Sequence, residues 1–265
     1  MTSQTNHIER TYTRLTRSRD RASAAECLRA IGDCIGMPSP SVIDDYDEPR
    51  LLRAEDGRSL AAIFGWTTEY HDDWFKHRLH RVSPIALACR ATTEPFAWDA
   101  ESVASEVSRT RPSAPWHLTP ARGVFGGITV PLHGPHGRIG SVVWMAREPD
   151  VDADAILATH GDALRFAAHA FIDLVHTTEK RMEISRCETT PGALTAREFE
   201  CLAWAARGHT DNEIGVLLCR SPATARFHID NATHKLGARN RTHAVAKAVQ
   251  LGLIQVTCES LETEQ

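Results

Sequence analysis

Three helix-start signals crowd into residues 195–222, and their spacing leaves room only for short helices joined by tight turns. Thr195-Ala196-Arg197-Glu198 and Thr210-Asp211-Asn212-Glu213 each set a hydroxyl three residues ahead of a glutamate, the spacing of a capping box. Ser221-Pro222 adds a third start, a capping hydroxyl followed by proline at the first helical position. Leu194 is placed to staple against Phe199, and Gly208 stops the first helix after Arg207. The second helix is expected to bury Ile214, Leu217 and Leu218. Two short helices joined by Cys219-Arg220-Ser221 make a helix-turn-helix. After Gly237, either Asn240 or Thr242 starts a last helix, ended by Gly252. Its small apolar face of Ala244, Val245, Ala248 and Val249 suits packing against a second copy, and such headpieces read paired half-sites as dimers.

The third helix has one face to bury and one to present. At roughly 100° per residue, Ala225, Ile229, Ala232 and Leu236 fall within about 60° of one another and form the buried stripe. Ala223, Arg226, Phe227, Asp230, Asn231 and His234 occupy the opposite face. Phe227 there can meet a thymine methyl in the major groove, while Arg226 and Asn231 can donate to base edges or phosphates. Thr224 and Lys235 flank that face and suit phosphate, as do Thr210 and the free N–H groups of its helix. His228 lies beside the buried stripe and Trp204 on the first helix, where both suit packing.

Charge agrees with a DNA partner. Residues 193–256 hold eight Lys/Arg against five Asp/Glu, a net +3 that leaves −7 on the rest of a chain whose total is −4. A basic module on an acidic body fits phosphate neutralisation.

The run LTAREFECLAWAARGHTDNEI, followed by SPATARFHIDNATHKLGARNRTHAVAKAVQLGLI, resembles the LuxR/GerE-type headpiece over its whole length. The L-T-x-R-E opening, the W-x-A-x-G-x-T-x-x-E-I middle and the K-L-x-x-x-N-R-x-x-A-V close carry the resemblance. It implies a four-helix domain that binds, as a homodimer, an operator of two-fold symmetry on double-stranded DNA.

Upstream, 22–35 has helical periodicity broken by prolines at 38 and 40. Short apolar runs at 41–43, 51–54 and 60–66 read as strands, and 72–82 and 84–91 as helices. The runs 128–132 and 139–145 flank His-Gly-Pro-His-Gly and make a hairpin. A long helical pattern over 152–180 puts Ile156, Leu164, Ala167, Phe171 and Leu174 on one stripe. The expected fold is an α/β (α+β) sandwich sensor domain with a central antiparallel sheet, followed by an all-α four-helix helix-turn-helix domain. The expected division is a sensing and dimerisation domain at 1–180, a linker at 181–192, the DNA-binding domain at 193–258 and a polar tail at 259–265.

Ser83-Pro84, Trp98, the run Gly123-Val-Phe-Gly-Gly127-Ile-Thr-Val-Pro131 and Gly137 resemble the D-P…W…G-x-x-x-G-x-T-x-P…G pattern of autoinducer-binding domains. The resemblance implies an acyl-homoserine lactone between the sheet and a helix layer, with the long helix forming a dimer. It also exposes departures. Ser83 stands where the family keeps an Asp that accepts from the ligand amide, and Val143 where many members keep a hydroxyl. The family's Trp and Tyr ligand contacts map either to Tyr70 and Trp74 or to Trp74 and Arg78. Tyr70, Trp74, Arg78, Ser83, Trp98, Gly127 and Val143 are therefore the ligand-binding candidates. Losing polar partners costs about 1–3 kcal/mol per buried group left unpaired, which favours a related or non-lactone ligand.

Other classes are set aside on chemistry. Val42-Ile43-Asp44-Asp45 resembles a receiver's acidic pocket but starts too late in the chain, and no G-x-S-x-G, phosphate loop or carboxylate cluster points to an enzyme. The seven cysteines read as reduced thiols, and His77, His80 and Cys89 lack the fourth ligand of a zinc site, so neither metal nor cofactor is expected. The polar N-terminus is unlike a signal peptide and no apolar run approaches a membrane span, which places the chain in the cytoplasm. The expected function is a ligand-responsive, dimeric DNA-binding transcription regulator. The alternative is a ligand-independent regulator whose first domain serves dimerisation or protein docking.

Overall fold

The computed structural model describes residues 2–67, 74, 76, 78–81, 83–110, 118–134, 137–184 and 194–254, and the chain divides near residue 185 into two units. In the first unit, β1 (Ser39–Ile43), β2 (Phe96–Asp99), β3 (Gly126–His133) and β4 (Ile139–Ala146) form an antiparallel sheet in the order β1-β4-β3-β2. β3 and β4 are the predicted hairpin, paired from Gly126 opposite Ala146 to His133 opposite Ile139. Both are buried along nearly their whole length, because helices cover both faces and apolar residues are then required at every position.

Pairing sorts the two faces. Ile128 and Trp144 share one face, against which α2 (Arg21–Cys34) and the long α6 (Ala153–Ile184) pack. The Trp144 indole donates to the Leu28 carbonyl of α2 at 3.2 Å, and α6 buries Leu164, Ala167, Ala168, Phe171 and Val175. Ser141, Val143 and Met145 line the other face, covered by α3 (Leu60–Ile63) and α4 (Pro84–Ala91). α5 (Ala100–Thr110) follows β2 directly.

Several elements differ from the sequence reading. Residues 60–66 hold the short helix α3, not a strand, because the Ser59 hydroxyl accepts from the Ala62 N–H and starts a helical turn. Residues 51–54 contribute only an isolated bridge between Arg53 and Ser59. Helix α1 (Thr2–Arg17) went unread; its stripe of Ile8, Thr11 and Leu15 is sparse and interrupted by polar residues, yet buried. β2 and α5 were also missed. The expected helix over 72–82 falls partly outside the described residues, with Trp74 and Lys76 helical and Leu79–Arg81 a 3-10 turn. α6 continues to Ile184, so 181–184 at the start of the expected linker are helical. The remaining linker positions and the polar tail lie outside the described residues.

The second unit is all helical: α7 (Ala196–Ala206), α8 (Asp211–Leu217), α9 (Pro222–Lys235) and α10 (Arg241–Gln250). Both capping boxes form, at Thr195 with Glu198 and at Thr210 with Glu213. Ser221 caps α9, and Asn240 rather than Thr242 caps α10. Leu202, Ala232, Leu236, Ala244, Ala248 and Ile254 make one core; Cys201, Ile214, Ala225 and Ile229 make a second beneath α8. Leu217 is 46% exposed and so is not the core residue expected. Ile214 alone anchors the underside of α8, where Gly215 lets the turn at Arg220 approach to 2.9 Å of a hypothetical Cβ.

Candidate functional site

On the sheet face bearing Ser41, Ile43, Val143 and Met145, the first unit forms a narrow, partly open cavity. Leu52, Leu60, Phe64, Ile85 and Leu118 give it apolar walls, and Trp66 and Trp74 add aromatic ones. Trp66 is pinned by its indole N–H, which donates to the Pro40 carbonyl at 2.6 Å. Polar groups are few. Ser83 occupies the N-cap of α4 and is wholly buried, yet its hydroxyl makes no cap bond, finds no partner and belongs to the cavity wall. Buried polar groups are normally paired, so an orphaned hydroxyl at an enclosed surface marks a place where a ligand can supply the missing partner.

The Tyr46 phenol also lines the cavity, 2.6 Å from the Ser141 hydroxyl and 3.9 Å from the Cys89 sulfur. Burial pushes the phenol well above its ordinary pKa and the Cys89 thiol up to about 11, so both stay protonated and serve as neutral hydrogen-bonding groups. Arg50, half-exposed, joins the lining while its Nε and Nη2 donate to Oδ2 of buried Asp44 at 2.8 and 2.6 Å. Just before Ser83, buried His80 is held below its ordinary pKa by desolvation and then by neighbouring Arg81 and Arg78. The chemistry is recognition by hydroxyl and indole groups in an apolar enclosure. Among the described residues no group of three or more His, Cys, Asp or Glu could hold a metal.

In the second unit α9 buries one face and turns the other outward. Ala225, Ile229, Ala232 and Leu236 are buried, whereas Arg226, Phe227, Asp230 and His234 are exposed and Asn231 is half-buried. Phe227 is 60% exposed, with its ring 5.7 Å from that of half-buried His228 in an edge arrangement. Thr224 is half-buried, its hydroxyl 2.8 Å from Ser221 Oγ. The exposed Thr210 hydroxyl and N–H both donate to Glu213 Oε2, at 2.9 and 2.7 Å. Trp204 packs on the core beneath α8, with the Arg207 guanidinium 4.8 Å over its ring.

Lys235 has a partner within the headpiece. Its Nζ donates to Glu198 Oε2 at 2.8 Å, and that carboxylate is nearly buried between α7 and α9. Desolvation raises the Glu198 pKa, but the Lys235 and Thr195 hydrogen bonds outweigh it and leave the carboxyl below its ordinary value. With one ammonium hydrogen committed to a buried carboxylate, Lys235 ties two helices together.

Residues 46–175 match the autoinducer-binding domain family and residues 192–248 the luxR family of bacterial regulatory proteins. ExpR of Dickeya dadantii, a transcriptional activator protein, is 25% identical over 80% of this chain and 88% of its own. RpaR of Rhodopseudomonas palustris, a quorum sensing-dependent transcriptional regulator, is 32% identical over 74% of this chain and 76% of its own. The chain belongs to the LuxR family. Its fold is that of Escherichia coli SdiA, with a TM-score of 0.59 at 18% identity over 94% of this chain and 98% of SdiA. SdiA has also been solved in complex with octanoyl-rac-glycerol, with a TM-score of 0.57, 17% identity and coverage of 93% and 94%. This LuxR-family chain is accordingly a DNA-binding transcription regulator with an autoinducer-binding domain, and it is not an enzyme.

Within that LuxR frame, Trp74, Ser83 and Val143 meet at the cavity wall, but Arg78, Trp98 and Gly127 do not join them. Arg78 is exposed, with φ at 50°, and is absent from the lining. Trp98 lies across Gly127 and donates to the Thr129 hydroxyl at 3.0 Å. A Cβ on Gly127 would stand 2.8 Å from the Trp98 ring and 2.5 Å from the Trp144 carbonyl oxygen, so this glycine makes room for packing. Tyr70 lies outside the described residues. The sequence reading missed Tyr46 and Arg50. Tyr46 takes its meaning from Ser141, 95 positions away, and only a buried tyrosine close to Asp44 and Arg50 hinted at it.

Proposed function

We propose that this LuxR-family chain regulates transcription in the cytoplasm as a homodimer, in response to a small molecule with an apolar body and at least one hydrogen-bonding group. The orphaned, wholly buried Ser83 hydroxyl at the cavity wall carries this reading. A neutral hydroxyl there accepts or donates, so it suits an acyl compound with a carbonyl, ester or hydroxyl head, an acyl-homoserine lactone or a non-lactone relative. RpaR is by name quorum sensing-dependent and SdiA holds octanoyl-rac-glycerol, which supports an acyl signal here. At the DNA, Arg226, Phe227, Asp230, Asn231 and His234 face the bases, supported by their full or partial exposure along one side of α9, while half-buried Thr224 on its flank and exposed Thr210 at the N-cap of α8 face phosphates.

The test is mass spectrometry of the small molecule retained by the expressed protein, followed by gel-shift titration with and without it. Operator affinity should rise with the retained compound and fall by roughly 1–3 kcal/mol in Arg226→Ala. Protein recovered folded and empty, with DNA affinity unchanged by cell extracts, would instead make the first unit a dimerisation or docking module.

A further inference from the structure

A hollow of about 500 Å3 including its open side lies between α7 and α9, lined by Arg197, Cys201, Leu218, Arg220, Thr224, Ala225 and His228. Cys201 and Ala225 are fully buried, and none of the lining residues is a carboxylate. Arg197 is ion-paired with Glu200 at 2.7 Å across one turn of α7. Arg220 is exposed, makes no ion pair among the described residues, and reaches only the neighbouring Cys219 carbonyl at 3.5 Å. The hollow thus sets two guanidinium groups, an imidazole and a hydroxyl around an apolar floor. Charge-assisted hydrogen bonds gain strength where apolar walls lower the local dielectric.

Position on the helix gives this cluster a direction. With Thr224 at zero and roughly 100° per residue, the buried stripe centres near 110° and the outward face near 270°. Thr224 and His228 fall between them, on one flank. A helix lying in the major groove turns its exposed face to the bases and its flanks to the two bordering backbones. Lys235 occupies the same flank near the far end of α9 and is held by Glu198.

We propose that the hollow seats one phosphate of the DNA backbone, with Arg220 as its principal charge, Arg197 as a second, and Thr224 and His228 as hydrogen-bond donors. The seat rests on DNA binding by this domain, and it fixes how deeply the N-terminal turn of α9 enters the groove.

The experiment is fluorescence anisotropy of the full-length protein on a random-sequence duplex about 25 base pairs long, measured across salt concentrations. Each phosphate neutralised contributes about 0.9 to the slope of log K against log salt. Arg220→Gln should lower the slope by about 0.9 per headpiece engaged and weaken binding several-fold at moderate salt. Arg220→Lys, which keeps the charge, should hold the wild-type slope. Circular dichroism melts of each variant separate a binding loss from an unfolded headpiece; were Arg220→Gln to unfold, Arg197→Gln would serve for the same slope measurement. A folded Arg220→Gln protein with the wild-type slope overturns the seat. Wild-type protein that fails to bind any duplex would count against the DNA-binding reading itself, an outcome distinct from an unchanged slope.

Discussion

The two units treat buried polar groups in opposite ways. Among the described residues of the headpiece, the one charged side chain taken into the interior, Glu198, is satisfied by Lys235 and by the backbone N–H of Thr195. Around the sensor cavity, Ser83 Oγ, His80 Nδ1 and Asp44 Oδ1 are buried without a partner. Among the described residues, every buried side-chain polar atom without a hydrogen bond lies in the first unit. A unit that must keep a constant surface for DNA gains from full satisfaction, whereas a unit that answers a ligand needs bonds left to be completed. Each unsatisfied group costs roughly 1–3 kcal/mol while the cavity is empty, and ligand binding can recover part of that cost.

The comparison can be broken first at the cores. Phe171, fully buried on α6, should cost about 3–5 kcal/mol when changed to Ala. Denaturant titration should then show the sensor transition moved to lower concentration while the headpiece transition holds; a single shared shift would mean that the units do not unfold independently. Next comes Gly127→Ala, expected to destabilise the sensor by about 1–3 kcal/mol because its methyl meets the Trp144 carbonyl and the Trp98 ring. Unchanged stability with lost signal response would return Gly127 to the ligand site.

Lys235→Met should destabilise the headpiece by about 1–3 kcal/mol, by leaving the Glu198 carboxylate short of a partner. The salt slope of DNA binding should stay put, since this lysine is paired with Glu198. The same pair sets an acid limit. A carboxyl whose folded pKa is depressed adds stability above its unfolded value of about 4.3, and that stability is lost as pH falls through the lower folded value. Wild-type headpiece should therefore lose stability in that acid window, and a melting profile flat across it would contradict the pairing. Ser83→Ala has the smallest expected effect and the opposite sign. It removes an orphaned hydroxyl, so the empty sensor should gain about 1 kcal/mol in thermal denaturation while signal affinity falls. A destabilised empty sensor would show that Ser83 is satisfied after all.

Legibility followed the same division. Thr195, Thr210, Ser221, Pro222 and the α9 stripe act over three to eleven residues, so their roles can be read along the chain. The hairpin, α4 and the long helix were legible for the same reason. The ligand site was not. Trp98 and Gly127 carry the family pattern yet serve each other's packing, while Tyr46 joins the cavity through a bond to a strand 95 positions away. Residues 60–66 misled because a short apolar run has no period that separates strand from helix.

By itself, the sequence determined that this chain ends in a capped helix-turn-helix with α9 turned outward along Arg226, Phe227, Asp230 and His234, because capping and helical periodicity are local. Only the tertiary structure decided that Lys235 ties α9 to α7, that the Ser83 hydroxyl is buried at the cavity wall without a partner, and that Arg220 shares a hollow with Arg197. Those three depend on which distant segments meet, and on whether a buried polar atom finds its partner when they do.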